Sequence, residues 1–200
     1  GNTSENLSAP DRAARYGEIR DYLPNSRAAG RRVGLPSDDS QLAFWTLESL
    51  LECAGLDFED LSARFDSREI FGVGKSMQQF LSNRAQGKAA WYRSGAESAG
   101  NGALMRIAPL MLLHPEGSSA ALWLDVALAS IITHRDASSV ASCVAYADLL
   151  ARLLRLPAPP TADWIIATFL GTVRQVCTDQ SYRPRGGAFA FRQRQVDARH

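Results

Sequence analysis

The fold is decided by the stretch SDDSQLAFWTLESLLECA, residues 37–54, in which apolar side chains recur three and four positions apart. This spacing places them on one face of an α-helix, because a helix has about 3.6 residues per turn. The run stops at Gly55, and glycine commonly ends helices. We therefore predict a buried helix that opens at Asp38 and Asp39 and ends near Ala54.

The rest of the chain predicts further helices and almost no β-structure. Apolar positions at helical spacing recur in seven more segments, and the alternation over residues 188–191 is the one strand-like stretch. The predicted helices cover residues 11–23, 58–65, 75–85, 103–113, 120–132, 138–154 and 162–177. We expect an all-α protein that folds as a single-domain helical bundle, with no internal repeat.

Composition places the chain among ordinary globular proteins. Of its 200 residues, 46% are hydrophobic and 22% are charged, which excludes collagen-like, low-complexity and wholly disordered classes. Lysine and arginine (22) nearly balance aspartate and glutamate (21). The net charge of +1 is too small for binding to nucleic acid or a membrane surface through bulk electrostatics, so we expect neither partner.

The cysteines and the longest apolar runs indicate in which cellular compartment the protein is expected. Cys53, Cys143 and Cys177 are an odd number without CxxC spacing, which favours a reducing environment over a disulfide framework. No stretch reaches the roughly 18 apolar residues of a membrane span. We expect a cytoplasmic protein with one domain over residues 1–182 and an arginine-rich tail of unknown role over residues 183–200. Because the chain starts at Gly1 rather than methionine, we also expect a fragment.

Two adjacent carboxylates open the predicted helix at residue 38. With Ser37 and Ser40 beside them, Asp38 and Asp39 offer several hard oxygen ligands of the kind that Mg²⁺ and Mn²⁺ prefer. The same residue types are also favoured at helix N-termini, where they cap backbone N–H groups and interact well with the helix dipole. These residues alone leave both interpretations open.

A glycine-rich turn precedes the predicted helix at 103–113. The backbone of Gly100-Asn101-Gly102 can approach a ligand closely, and N–H groups at a helix start can bind phosphate oxygens. An ordinary tight turn is the alternative. Arg106 offers an anion partner, although a solvated or salt-bridged arginine is the more common case.

The three histidines differ in their surroundings. Thr133 and His134 follow a long apolar run, so a titratable ring lies at a helix terminus, either facing a cleft or serving as a structural residue. We assign His114 and His200 to the surface and the mid-helix Cys143 to the core.

Three segments, taken together and in this order, resemble the ADP-ribosylglycohydrolase family, which includes the dinitrogenase reductase-activating glycohydrolase. They are Gly34-Leu-Pro-Ser-Asp-Asp-Ser-Gln41, Gly100-Asn-Gly-Ala-Leu-Met-Arg-Ile-Ala-Pro109 and Thr133-His134. The second segment is specific, and its distance from the aspartate pair fits the family. The resemblance covers roughly residues 1–175.

The resemblance implies an orthogonal α-helical bundle with a binuclear Mg²⁺ or Mn²⁺ centre and ADP-ribose in a cleft above it. The implied reaction is hydrolysis of the N- or O-glycosidic bond that joins ADP-ribose to a modified protein side chain, most often arginine. The implied partner is therefore an ADP-ribosylated protein or ADP-ribose itself.

The resemblance also assigns residues. Ser37, Asp38 and Asp39 match the N-terminal metal-ligand triplet, and the two aspartates with Glu5 are the implied catalytic groups. The residues implied to bind ADP-ribose are Glu5, Ser98, Gly100, Asn101, Gly102 and His134.

The chain departs from the family pattern at both ends. The family completes its metal site with a late pair of aspartates, whereas after residue 160 this sequence has only Asp163, Asp179 and Asp197, none of them paired. Of the family's opening Gly-Asp segment only Gly1 remains. We therefore expect one metal half-site, weak metal binding and hydrolysis near background. The alternative is a non-catalytic ADP-ribose-binding or structural module.

Overall fold

The computed structural model describes residues 2–4, 7–87 and 89–177. These residues form α-helices, short 3₁₀ helices and two isolated β-bridges, with no β-strand among them, so the all-α prediction is confirmed. The α-helices are α1 (Ala9–Tyr16), α2 (Asp38–Glu52), α3 (Phe58–Ser67), α4 (Lys75–Gly87), α5 (Trp91–Ser94), α6 (Ala120–Ile131), α7 (Ala137–Leu153) and α8 (Ala162–Val176). The strand-like stretch at 188–191 and the arginine-rich tail lie outside the described residues.

Two of the predicted helices differ from the observed ones. Helix α1 ends at Tyr16 rather than at residue 23, because Gly17 takes a φ of +61° and turns the chain away. The predicted helix at 103–113 is instead two 3₁₀ helices, Leu104–Arg106 and Ala108–Leu113. Pro109 explains the break, because proline disfavours α-conformation in the residue before it and donates no backbone hydrogen bond. The N–H groups after Gly102 therefore begin a 3₁₀ helix rather than an α-helix.

Helix α2 packs into two separate apolar clusters. Leu42, near its start, is fully buried in one cluster, and Leu50, near its end, is 5% exposed in the other. The first cluster, the α3–α4 core, consists of Leu42, Leu61, Phe65, Ile70, Met77, Phe80 and Ile132. The second, the α6–α7 core, consists of Leu50, Ala103, Ile107, Leu110, Leu122, Val126, Ala129, Cys143, Val144, Ala147 and Ala151. Because α2 contributes to both, its position is fixed at each end.

The assignment of His114 to the surface is wrong. Its side chain is only 12% exposed, and its Nε2 lies 3.0 Å from Oδ2 of Asp125 on α6. The 3₁₀ helix that ends at Leu113 brings the ring against α6, a placement that the sequence pattern does not encode.

Cys143 is buried in the α6–α7 core, as predicted. No helix in the described part of the chain is long and apolar enough to span a membrane.

Asp148 on α7 is a fully buried carboxylate that ties three parts of the bundle together. It accepts hydrogen bonds from Ser118, from Nε1 of Trp123 at 3.2 Å, from Nε of Arg152 at 2.9 Å and from Oγ1 of Thr172 on α8 at 2.7 Å. Burial alone would raise the pKa of Asp148, but these hydrogen bonds favour the charged form more strongly and hold its pKa below the usual range.

We expect Asp148→Asn to destabilise the protein by roughly 2–3 kcal/mol, because the new amide group faces hydrogen-bond donors inside the bundle. Since the folded state depresses the pKa of Asp148, its contribution is present above the unfolded value of about 3.9 and is lost as pH falls below it. Urea unfolding at about pH 7 and about pH 3 measures this, and the exposed Asp163→Asn is the control. An Asp148→Asn deficit that is equally large at both pH values would contradict the prediction.

Candidate functional site

Three side chains at the start of α2, those of Ser37, Asp38 and Asp39, carry oxygen atoms that could bind a cation. Ser37 occupies the N-cap position, yet its side chain makes no capping hydrogen bond. Its hydroxyl instead donates to Oδ2 of Asp39 at 3.1 Å. Asp39 is exposed and Asp38 is partly buried. The hydroxyl is therefore directed toward a carboxylate rather than used to end the helix, which argues against a purely capping role.

The segment between α3 and α4 fixes this turn in place. The backbone N–H of Asp38 donates to the carbonyl of Phe71 at 2.7 Å. The Gln41 side chain donates to the carbonyl of Glu69 at 2.9 Å and accepts from the N–H of Phe71 at 2.7 Å. Gly72 has a φ of +87°, and a Cβ built on it would lie 3.2 Å from Oδ1 of Asp38. Only glycine allows both this backbone conformation and this close approach.

The loop that follows α5 docks on the turn between α6 and α7. The N–H of Ala96 donates to the carbonyl of Thr133 at 3.0 Å, and the N–H of Arg135 donates to the carbonyl of Ala96 at 2.8 Å. A Cβ on Gly95 would collide with the carbonyl oxygen of Ile131, so the approach depends on glycine. These contacts bring residues 98–102 next to His134.

The glycines of this loop pack directly against the imidazole. A Cβ on Gly102 would lie 2.8 Å from Cε1 of His134, and one on Gly100 would lie 3.4 Å from its Nε2. The loop is held by Ser139, whose hydroxyl donates to the carbonyl of Gly100 at 2.9 Å, and by the N–H of Gly100, which donates to Oγ of Ser98 at 3.2 Å. Ser98, Gly100 and Gly102 therefore lie beside His134, and their role in binding ADP-ribose stays a prediction.

A serine pair connects the loop to the start of α4, where Oγ of Ser76 lies 2.9 Å from Oγ of Ser98. Asp39 lines a groove of about 370 Å³ together with Met105 and Pro109, which follow the glycine loop in the sequence. The aspartate turn and the segment after the loop therefore face one groove.

Arg106 is a fully buried charge beside His134. Its Cζ lies 4.8 Å from the ring centroid of Phe65, and its Nη2 donates to Oγ1 of Thr133 at 2.8 Å. This corrects the expectation of a solvated or salt-bridged arginine. His134 is 4% exposed, and burial together with the positive charge of Arg106 lowers the pKa of its imidazole to about 4. The ring is therefore neutral at physiological pH.

The donors on α2 fit one side of a divalent-cation site. Hydroxyl and carboxylate oxygens are what Mg²⁺ and Mn²⁺ bind. Among the described residues, however, no group of three or more histidine, cysteine, aspartate and glutamate side chains is placed to hold a metal. The described residues at the aspartate turn therefore do not complete an octahedral shell by themselves.

Some predicted residues lie apart from this cluster, and others were not predicted. Glu5 lies outside the described residues, although Ser4, which precedes it, lines the same groove of about 300 Å³ as Ser37. Asn101 is exposed at the tip of the loop. The sequence analysis did not predict the contacts of Gln41 or Gly72 with the aspartate turn. Nothing in the sequence marks Gln41, whereas the two glycines at 72 and 74 could have indicated an unusual backbone conformation.

Comparison with known proteins identifies two similarities. The sequence model described as ADP-ribosylglycohydrolase matches residues 1–198. A protein of Archaeoglobus fulgidus named only as uncharacterized is 30% identical over 151 residues, which are 74% of this chain and 48% of that protein. The chain thus spans about half the length of this curated relative.

We expect stability to fall as pH drops from about 6.5 to about 4, because the unfolded chain takes up a proton on His134 in this window and the folded chain does not. At about 1.4 kcal/mol per pKa unit, the loss attributable to this ring is roughly 2–3 kcal/mol. Urea unfolding of wild type and His134→Gln at about pH 7 and about pH 4.5 isolates it. The prediction is wrong if His134→Gln loses as much stability between the two pH values as wild type does.

We expect Gly102→Ala to cost roughly 1–3 kcal/mol, because the new methyl group overlaps a buried ring that has no room to move. The imidazole resonances of His134 should shift with it. Gly74→Ala is the matched control, since no heavy atom lies within 4 Å of a Cβ built there. Thermal unfolding and NMR spectra of both variants provide the test, and equal stability of the two would show that the loop yields freely.

Proposed function

Because the chain belongs to the ADP-ribosylglycohydrolase family, we propose that it takes part in metal-dependent hydrolysis of the N- or O-glycosidic bond between ADP-ribose and a modified protein side chain, most often arginine. The proposal is supported by two observations: the glycine loop packs around His134, and Asp39 lines one groove with Met105 and Pro109, which follow that loop. A nucleotide-binding loop and hard oxygen donors are the two parts that this reaction needs.

The aspartate turn is the proposed metal ligand set. Ser37, Asp38 and Asp39 would hold Mg²⁺ or Mn²⁺ from one side. When bound, the metal supplies positive charge that orients the ribose hydroxyls and makes a coordinated water more acidic. The absence of a capping role for the Ser37 side chain supports this assignment.

The carboxylates of Asp38 and Asp39 have two further roles in the proposal. A carboxylate accepts the proton of the attacking water. Glycosidic bonds break through a positively charged, oxocarbenium-like state, and fixed negative oxygens near the ribose stabilise it. Glu5 is proposed to act at the ribose as well, on the family resemblance alone, since it lies outside the described residues.

The glycine loop is the proposed ADP-ribose site. Gly100 and Gly102 let the loop backbone lie directly on the ring of His134, and Ser98 and Asn101 offer polar atoms at the same loop. The neutral ring of His134 forms the floor beneath the loop. Such a surface suits the oxygen-rich diphosphate and ribose groups of ADP-ribose.

A second candidate function is recognition of ADP-ribose without hydrolysis. The observation that favours it is that the described residues bring no third acidic or histidine ligand to the aspartate turn. One half of a binuclear site binds metal weakly, because Mg²⁺ keeps its water shell unless several carboxylates converge. The two candidates share the ADP-ribose site and differ in turnover.

We expect ADP-ribose to protect the chain against thermal unfolding. A ligand that binds only the folded state at about 100 times its Kd stabilises by about 2.7 kcal/mol. For a chain of this size, that raises Tm by roughly 5–10 °C. Gly102→Ala should lose the protection and Gly74→Ala should keep it. A wild-type Tm that ADP-ribose leaves unchanged would leave neither candidate standing and would favour a structural role.

The hydrolase proposal expects release of ADP-ribose from ADP-ribosyl-arginine that requires Mg²⁺ or Mn²⁺. Asp38→Ala and Asp39→Ala should each reduce the rate by about 100-fold or more, because each removes a ligand and a proton acceptor. Asp163→Ala is the matched control, since Asp163 is also an aspartate in the first turn of a helix. Thermal protection without turnover would instead support the second candidate.

A further inference from the structure

Arg106 lies in the core without a carboxylate partner among the described residues. The whole side chain is buried, and its Nε and Nη1 have no hydrogen-bond partner in the described part of the chain. A buried charge of this kind is costly, and apolar side chains of similar size are often more stable in its place. Stability therefore does not explain Arg106, and its effect on neighbouring groups is the alternative explanation.

The contacts of Arg106 lead directly to His134. Nη2 of Arg106 donates to the carbonyl of Ala129 and to Oγ1 of Thr133, each at 2.8 Å. Oγ1 of Thr133 lies 3.0 Å from Nδ1 of His134. Arginine has no acceptor atom, so the Thr133 oxygen must accept from it. The hydroxyl hydrogen of Thr133 then remains to be donated.

The hydrogen on Thr133 determines which imidazole nitrogen carries a hydrogen. In the residues that the structure describes, Nδ1 of His134 is the only acceptor within reach of the Thr133 hydroxyl. A neutral imidazole has one N–H, so an accepting Nδ1 places the hydrogen on Nε2. The other tautomer would direct two donors, from Arg106 and His134, at one hydroxyl oxygen and leave the hydroxyl hydrogen without a partner.

We propose that Arg106 is a positioning residue that, through Thr133, holds His134 in the tautomer whose Nε2–H is directed at the Gly100–Gly102 loop. The direction follows from the packing, because Nε2 lies 3.0 Å from a Cβ built on Gly102 and 3.4 Å from one built on Gly100. The ligand part of this inference depends on the proposed function, since it takes ADP-ribose to lie at this loop.

The tautomer of His134 determines which kind of ligand atom can bind at the loop. An Nε2–H group donates to phosphate, carbonyl or hydroxyl oxygens, whereas the other tautomer would present a lone pair that repels anionic oxygens. Arg106 thus favours an anionic, oxygen-rich ligand without touching it. Burial and, after it, the charge of Arg106 both lower the pKa of His134 and so disfavour a second positive charge on the ring.

The tautomer is tested by NMR on the ligand-free protein, in which imidazole ¹⁵N shifts distinguish a protonated from an unprotonated nitrogen. We expect wild type and Thr133→Ser to show hydrogen on Nε2 of His134. Thr133→Val and Arg106→Met should shift the ring toward hydrogen on Nδ1, and Arg106→Lys, which keeps a charged donor, should shift it less. Hydrogen on Nδ1 in wild type would overturn the proposal, as would an unchanged tautomer in both Thr133→Val and Arg106→Met.

Two further readouts keep the test decisive. ADP-ribose binding, measured by calorimetry, should weaken about five- to tenfold in Thr133→Val and be restored in Thr133→Ser, which corresponds to the loss of one hydrogen bond. If wild type does not bind ADP-ribose, the proposed function fails while the tautomer assignment still stands on the spectra. If Thr133→Val or Arg106→Met does not fold, wild type and Thr133→Ser decide the tautomer alone.

Discussion

Helix α2 is the element on which the rest of the structure depends, because it must fill two apolar clusters at once. Leu42 and Leu50 lie on the same helix and are buried in different clusters. Burial of one leucine stabilises a fold by about 1.5–3 kcal/mol, so sliding or tilting the helix would weaken both cores. Asp38 and Asp39 are thereby held at a fixed place, and the Gln41 contacts lock the adjoining segment to them.

The site around His134 is built by close backbone approach rather than by long side chains. Gly95 and Gly102 are positions where any Cβ would overlap a carbonyl or the imidazole, so the loop encloses the ring with no space to spare. Dense packing of this kind keeps groups in place within fractions of an ångström, which a binding site requires. The same density explains why a single methyl group should displace the ring.

Sequence patterns predicted the helices whose apolar spacing is regular, and α2 begins at Asp38 as expected. They failed at 103–113, where apolar residues alone suggested an α-helix, whereas the segment forms two 3₁₀ helices and Pro109 lies in the first turn of the second. The glycine loop and His134 could be grouped by resemblance, but their contact depends on pairing between Ala96 and residues 133–135, which no local pattern encodes. The sequence favoured a solvated or salt-bridged Arg106. This prediction was wrong, because the burial of Arg106 depends on segments that are distant in the sequence.

The two fully buried charges in the described bundle differ in how well they are satisfied. Asp148 accepts four hydrogen bonds, three of which join α7 to its neighbours, and this accounts for it as a structural residue. Arg106 has two nitrogens without partners and no carboxylate beside it among the described residues, so stability alone would favour an apolar side chain there. Arg106 differs from Asp148 in its position, because the hydroxyl of Thr133 connects Arg106 to His134. A charge that is poorly satisfied where it lies, yet oriented toward a site residue, is best explained by its effect on that residue.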